Sequence, residues 1–415
     1  MSIQIQDITG SKSKISKSTF EIAPYSPVFI GSGFKLRNKL DFFSSQAKTH
    51  VFDLNKLIRD RIDDMDALEA AMLRRDMPEY IQDAGLKTSD YLRKSYMGDC
   101  KSEELASPLS DGLGRPIIPG SSIKGSIRSA LFAYFLEKRN LNEEQNLDRY
   151  LDFISRRDHG AQRRGKGKFP GRDLEEFLLS TFNRNDRSKR GTAPNYDIGR
   201  VLRVGDATFS PDSLEVFNIA VINEVSNGFQ WFVRKERGKS INDASLHNAN
   251  KIGVAGISYD PETTRPSHFS MSLDHSALES IGWKESFDVK VIAHACNTAS
   301  KKVLQDDLHY VTDAMPDQPD LSMVRENLEE LVELVEELEQ ENRERDKSSW
   351  LQRIGWGSGY LSMTGAHATP QMVSEIQKIY NLGRQGFEYP KTRRIALDLN
   401  AKPSTLMGWV VVEQQ

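Results

Sequence analysis

Cysteine is almost missing from this chain, with only Cys100 and Cys296 in 415 residues. Two distant thiols supply neither a disulfide framework nor a zinc-ligand pair, so reduced thiols are expected. Long apolar runs are missing too. No stretch approaches the length of a membrane span, and the polar start with Lys and Ser lacks a signal-peptide core. No membrane partner is therefore expected, and the expected compartment is the cytoplasm. Nor is there the excess of positive charge that marks a binder of polyanions, since the net charge is −3. Here the average misleads. Basic residues gather between Arg156 and Arg203 and acidic ones between Glu326 and Glu344, so the two signs are segregated along the chain.

Familiar catalytic frameworks are also absent. No Gly-x-Ser-x-Gly elbow occurs with a recognisable acid and base order. The eight histidines show no helical metal-binding pair. His294 and Cys296 are the only His/Cys pair close in sequence; alternation on a strand would put them on one face, but two residues cannot close a zinc site. Gly120-Ser-Ser-Ile-Lys-Gly125 is not a Walker loop, because Lys124 precedes the second Gly and no Lys-Ser/Thr pair ends it. Asp41 and Asp206 are lone carboxylates, whereas metal-assisted phosphodiester chemistry needs several oxygen ligands converging. No cofactor and no metal are expected.

What is present is enough for two domains with real cores, at 38% hydrophobic content. Phe20 to Ile30 reads as a first strand that Gly31-Ser32-Gly33 breaks. Asn55 to Leu92 spaces Leu57, Ile58, Ile62, Met65, Leu68, Met72 and Leu73 as a helical insertion outside the sheet. Beyond a helix around Glu143 to Ser155, the run Arg156–Arg172, with Arg163 and Arg164 at its centre, and the run Arg184–Arg203 have little to bury and are expected to be flexible. Leu174 to Phe182 reads as a short amphipathic helix. Val201 to Phe209, Leu214 to Asn223 and Gln230 to Arg234 alternate like strands. A boundary is expected between residues 235 and 236, followed by strands and short helices at Ile252 to Tyr259, His268 to Leu273 and Phe287 to Ala293. Leu321, Val324, Leu328, Leu331, Val335 and Leu338 then form a heptad-like stripe on an acidic helix, either packed on its own domain or offered to a partner.

The most informative segment is Gly114 to Leu131, GRPIIPGSSIKGSIRSAL. An extended Pro116–Ile118 and the turn Pro119-Gly120 lead into a helix through Ile123, Ile127 and Leu131, with Ser121 or Ser122 as its cap. Lys124 and Arg128 lie a turn apart on the other face. Free N–H groups, hydroxyls and two cations suit a phosphate; the same residues also suit a surface helix start with solvated cations. Gly355, Gly357 and Gly359, with Trp356, Ser358 and Tyr360 among them, allow close approach of a backbone beside aromatic faces, or else make a tight turn with buried aromatics. Lys391, Arg393 and Arg394 set three cations beside Pro390, a placement suited to RNA phosphate or to an acidic neighbouring subunit, or else a solvated strand end.

Pro119 to Arg128 resembles the Pro-Gly-Ser-Ser-x-Lys-Gly-x-x-Arg signature of the RAMP superfamily, CRISPR-associated RNA-binding proteins built on RRM-like folds. Leu202 to Phe209 resembles the strand and Asp turn of that family. IAPYSPVFIGSGFKL (Ile22–Leu36), LQRIGWGSGYLSMTG (Leu351–Gly365) and the run Tyr389–Val412 look like one branch of it, the fifth subunit of the type III-A, or Csm, effector complex. The resemblance implies an α+β protein of two RRM-like, ferredoxin-type domains, residues 1–235 and a diverged 236–415. Helical and basic-loop insertions are expected near 55–112 and 156–200. It further implies an RNA path lined by Gly31, Gly33, Ser121, Ser122, Lys124, Arg128 and Gly355 to Gly359. The implied role is non-catalytic: capping the 3′ portion of CRISPR RNA beside neighbouring backbone and small subunits, and helping guide maturation by recruiting or positioning a host nuclease. A metal-dependent endoribonuclease using Asp41 or Asp206 and a scaffold built on the acidic helix are the alternatives.

Overall fold

The computed structural model describes residues 2–6, 12–138, 178–181, 193–234, 244–359, 362 and 391–415. Arg163, Arg164, Tyr360, the run Arg156–Arg172 and the helix expected around Glu143 to Ser155 lie outside the described residues, as does most of the helix expected at Leu174 to Phe182. The strands, in chain order, are β1 (Ser2–Gln6), β2 (Lys12–Pro24), β3 (Gly31–Arg37), β4 (Phe42–Ser45), β5 (Lys48–Phe52), β6 (Leu92–Met97), β7 (Glu104–Pro108), β8 (Ile117–Ile118), β9 (Leu202–Val204), β10 (Ala207–Thr208), β11 (Leu214–Val225), β12 (Gly228–Trp231), β13 (Ile252–Ile257), β14 (Ser267–Asp274), β15 (Ser349–Arg353), β16 (Thr392–Leu397), β17 (Pro403–Leu406) and β18 (Trp409–Gln414). The helices are α1 (Leu54–Asp60), α2 (Met65–Arg74), α3 (Met77–Asp83), α4 (Gly120–Lys138), α5 (His275–Ser280), α6 (Val289–Ala314) and α7 (Ser322–Arg345). The fold is thus mixed α and β.

One sheet has the order β15-β18-β2-β14-β9, with β1 on β2. Its centre is β2, which pairs with β14 on one edge and β18 on the other. Alternation along β2 buries Phe20 and Ile22, and Phe20 stacks on Phe269 at 5.5 Å and tilts onto Trp350 at 5.2 Å. The larger sheet runs β3-β7-β13-β11-β6-β5-β4, with β12, β16 and β17 attached through β11. Ile219 of β11 pairs with β13 on one side and β16 on the other, so β11 is the spine. Both sheets therefore draw strands from both sides of residue 235.

Helix α4 follows its apolar period: Ile123, Ile127 and Leu131 are buried, with Phe132, Phe135 and Leu136. It packs on the first half of α6, where Ile292, Cys296 and Ala299 share its core. The second half of α6, from Val303 to Ala314, joins α7 in a second core against β11, β16 and β18. Phe287 to Ala293 thus belongs largely to a helix. The sequence left strand and short helix open there, and Asp288 caps the helix by accepting the Val291 N–H at 2.9 Å. His294 is exposed and Cys296 buried, since residues two apart diverge on a helix.

The stripe on α7 is buried: Val324, Leu328, Leu331, Val335 and Leu338 are each at most 4% exposed. Burial of each such side chain is worth about 1.5–3 kcal/mol, so the stripe holds the chain's own core and is not available to a partner. Only the acidic face points outward. The insertion expected from Asn55 has its own small core of Leu57, Leu68, Met77, Tyr80 and Ile81. Its helices α1 to α3 stand outside the sheet, as expected, between the sheet members β5 and β6, but Leu73 of the expected stripe is 78% exposed. The stretch from Ala193 to Arg203, expected to be flexible, forms two 3-10 turns and β9 around a fully buried Ile198.

Candidate nucleic-acid interface

The helix start of α4 is capped differently from the sequence expectation. The Pro119 carbonyl accepts the N–H groups of Ser122 and Ile123 at 2.8 and 3.2 Å, and the Gly120 N–H donates to Asp206 Oδ1 at 2.7 Å. Ser121 and Ser122 lie inside the first turn, and a carboxylate between β9 and β10 supplies the cap. Glycine is required here because a Cβ on Gly120 would stand 2.1 Å from the Val204 carbonyl oxygen. A strand backbone thus presses directly on the helix terminus, where an anion was expected.

Lys124 and Arg128 also work within the chain. Lys124 Nζ donates to the Leu202 carbonyl at 2.8 Å, and burial lowers its pKa below the ordinary lysine value. Arg128 pairs with Asp197, whose carboxylate also accepts the Gly199 N–H at 2.7 Å. These two cations tie α4 to β9 and to the 3-10 turn before it. Sequence reasoning had no access to Leu202 or Asp197 as partners, since both are distant in sequence.

Asp41 likewise accepts the Arg37 N–H at 2.8 Å and closes the turn after β3. Among the described residues, no three His, Cys, Asp or Glu side chains converge as a metal site. Both thiols are free and buried; burial pushes Cys100 up to about 11 and Cys296 higher still.

The glycine turn is built against the first strand's end. Gly355 has φ +82°, and a Cβ there would meet the Phe29 carbonyl oxygen at 2.7 Å, while the next amide, Trp356 N–H, donates to that oxygen at 2.8 Å. The structure therefore brings the turn Gly355–Gly359 together with the residues leading into Gly31 and Gly33. Gly357 packs on Met407 and Ser358 is buried, whereas a Cβ at Gly359 would meet open space. Ser126 on α4 donates to the Arg353 carbonyl at 3.0 Å, so the signature helix reaches the same turn.

Strand alternation splits the cations of β16. Arg393 is 7% exposed and pairs with Asp307 of α6, lying over the Tyr310 ring at 4.2 Å. Arg353 takes the other oxygen of Asp307 at 2.7 Å, and its Nε donates to the Met407 carbonyl at 2.8 Å. One carboxylate thus clamps β15, β16 and the glycine turn. Arg394, on the opposite face, lies over Trp356 at 4.9 Å, and Phe29 meets the same indole edge-on at 6.0 Å. Burial lowers the pKa of Arg394, and among the described residues no carboxylate pairs with it. A guanidinium stacked on a ring keeps its in-plane donors free for a phosphate fork. Lys391 is exposed at the strand's start. Asp307, Arg353, Asp197 and the capping role of Asp206 went unread in the sequence. The split of Arg393 from Arg394, however, follows from period-two alternation in Thr392–Leu397.

The sequence model of the RAMP superfamily matches residues 24–295. The fold is similar to a chain of the Csm–crRNA–target RNA ternary complex of a type III-A CRISPR-Cas system. That match has a TM-score of 0.62 and 21% identity, covering 96% of this chain and 100% of the other. It is also similar to T. onnurineus Csm5, with a TM-score of 0.57 and 19% identity over 95% of this chain and 100% of the other. No curated protein matches the sequence. No helix among the described residues is long and apolar enough to cross a membrane.

Proposed function

Since the chain belongs to the RAMP superfamily, we propose that it is a non-catalytic RNA-binding subunit of a type III-A CRISPR effector complex. Its proposed task is to cap the 3′ end of CRISPR RNA next to backbone and small subunits, within the cytoplasm, supporting assembly and guide maturation. Two RRM-like units, one of them diverged, are proposed, and since both sheets draw strands from both sides of residue 235 they do not divide the chain at that residue. The observation that carries the RNA-binding reading is Arg394 stacked on Trp356, a half-buried cation without a carboxylate among the described residues, beside a glycine turn whose Gly359 leaves open space where a side chain would stand. Similarity to chains from Csm structures supports the assembly. The non-catalytic reading is supported by Asp41 and Asp206, whose carboxylates hold backbone N–H groups. Nothing supports nuclease recruitment, and it forms no part of the proposal.

The test is a nuclease footprint of CRISPR RNA in a complex reconstituted with and without this chain. The chain is expected to extend protection at the 3′ end, and the RNA is expected to stay uncut in Mg²⁺. A footprint that does not change at the 3′ end would refute the cap. Metal-dependent cleavage abolished by Asp41→Asn or Asp206→Asn in a variant that keeps its RNA affinity would establish the endoribonuclease instead.

A further inference from the structure

We infer that Phe34 is a stacking platform for an unpaired nucleobase, an inference that rests on the RNA-binding reading above. Phe34 is 77% exposed, although large aromatic rings are among the side chains water favours least. It stands on β3, the edge strand of the larger sheet. The register with β7 shifts between Gly31 and Lys35, so Ser32, Gly33 and Phe34 form a bulge. The bulge is held in place. Ser32 Oγ donates to the Ser107 carbonyl at 3.1 Å, the Phe34 N–H donates to Ser32 Oγ at 3.3 Å, and Gly33 takes φ +88° with nothing within 4 Å of a Cβ. The backbone is therefore fixed while the ring projects into solvent.

The surroundings fit a nucleic acid strand better than a protein surface. Gly33 leaves open space just before the ring, and exposed Lys35, which pairs with Glu104 at 2.6 Å, Arg37 and Lys39 follow it in sequence. Cores of protein interfaces are depleted in such charges, whereas single-stranded RNA takes aromatic platforms set in basic grooves. The bulge also shares an anchor with the glycine turn: a Cβ on Gly31 would touch the Phe29 ring at 3.3 Å, and the Phe29 carbonyl holds Trp356. A base on Phe34 and a phosphate on Arg394 would belong to one strand passing this ledge.

Equilibrium binding of a labelled single-stranded RNA to the full chain tests this, using wild type, Phe34→Ala and Phe34→Tyr and an abasic oligomer of the same length. Phe34→Ala is expected to weaken RNA binding by about 5- to 150-fold with an unchanged salt dependence, as for one lost stack. Phe34→Tyr should bind within about 2-fold of wild type, since the ring's face is what a stack needs. On the abasic oligomer, wild type and Phe34→Ala should bind alike. Equal RNA affinity of wild type and Phe34→Ala would overturn the inference and leave the RNA-binding reading standing. So would a Phe34→Ala defect confined to capture of neighbouring subunits, which would make the ring a protein contact. Wild type that binds no RNA would overturn both. Phe34 is exposed, so matching thermal melts of the variants are expected and confirm the fold.

Discussion

Asp307→Ala is expected to destabilise the protein by about 3–5 kcal/mol, the range for removing one partner of a buried ion pair. Asp307 is fully buried, and both of its oxygens are engaged, one by Arg353 and one by Arg393. Without it, two guanidinium groups, each under 9% exposed, would lose the carboxylate they share. Burial already lowers the pKa of Arg353 below the ordinary arginine value, with the Asp307 charge opposing that shift. Replacing all three charges together should behave differently, because buried ionic groups exchanged for apolar ones of similar volume are often neutral or stabilising. A thermal melt should therefore show a large drop for Asp307→Ala. Recovery is expected in the triple variant Asp307→Leu, Arg353→Met, Arg393→Met. An Asp307→Ala protein that melts with wild type would mean that the clamp does not hold β15 to β16.

Gly120→Ala should cost about 3 kcal/mol, the upper end for forcing a methyl into a packed site, more than Asp206→Ala at roughly 1 kcal/mol. The atoms that an Ala Cβ would strike are backbone, the Val204 and Gly205 carbonyl oxygens, which cannot rotate aside. The helix start must then retreat from β9, which strains the core around Ile123 and also breaks the bond from the Gly120 N–H to Asp206. Asp206→Ala removes that cap alone. Chemical unfolding of the two variants gives the order; an Asp206→Ala effect equal to or larger than that of Gly120→Ala would contradict this account of the helix terminus.

How much was legible in the sequence depended on the range of each interaction. The period of Ile123, Ile127 and Leu131 and the stripe from Val324 to Leu338 are local signals, and both faces are buried as read. The motif pieces around Gly31, Pro119 and Gly355 were legible as one family's pattern, and the fold does set the first and third against Phe29. Charge roles were not legible. Lys124 and Arg128 read as free cations because Leu202 and Asp197 reach them only through the tertiary fold. Ser121 or Ser122 looked like a cap because nothing local announces Asp206. Phe287 to Ala293 left strand and short helix open, and packing between α4 and α7 decides for a helix. The exposure of Phe34 was not legible either, because it belongs to the fold.

The most direct measurement of the central claim, that RNA runs past the glycine turn, is the salt dependence of single-stranded RNA binding by wild type and Arg394→Ala. Each lost phosphate contact lowers the slope of log affinity against log salt by about 0.7 for a single strand. The account predicts that wild type binds, and that Arg394→Ala binds more weakly with a slope smaller by about 0.7. The variant Arg128→Ala, whose charge already meets Asp197, should keep the wild-type slope. An Arg394→Ala slope identical to wild type, or a wild-type chain that binds no RNA, would contradict it.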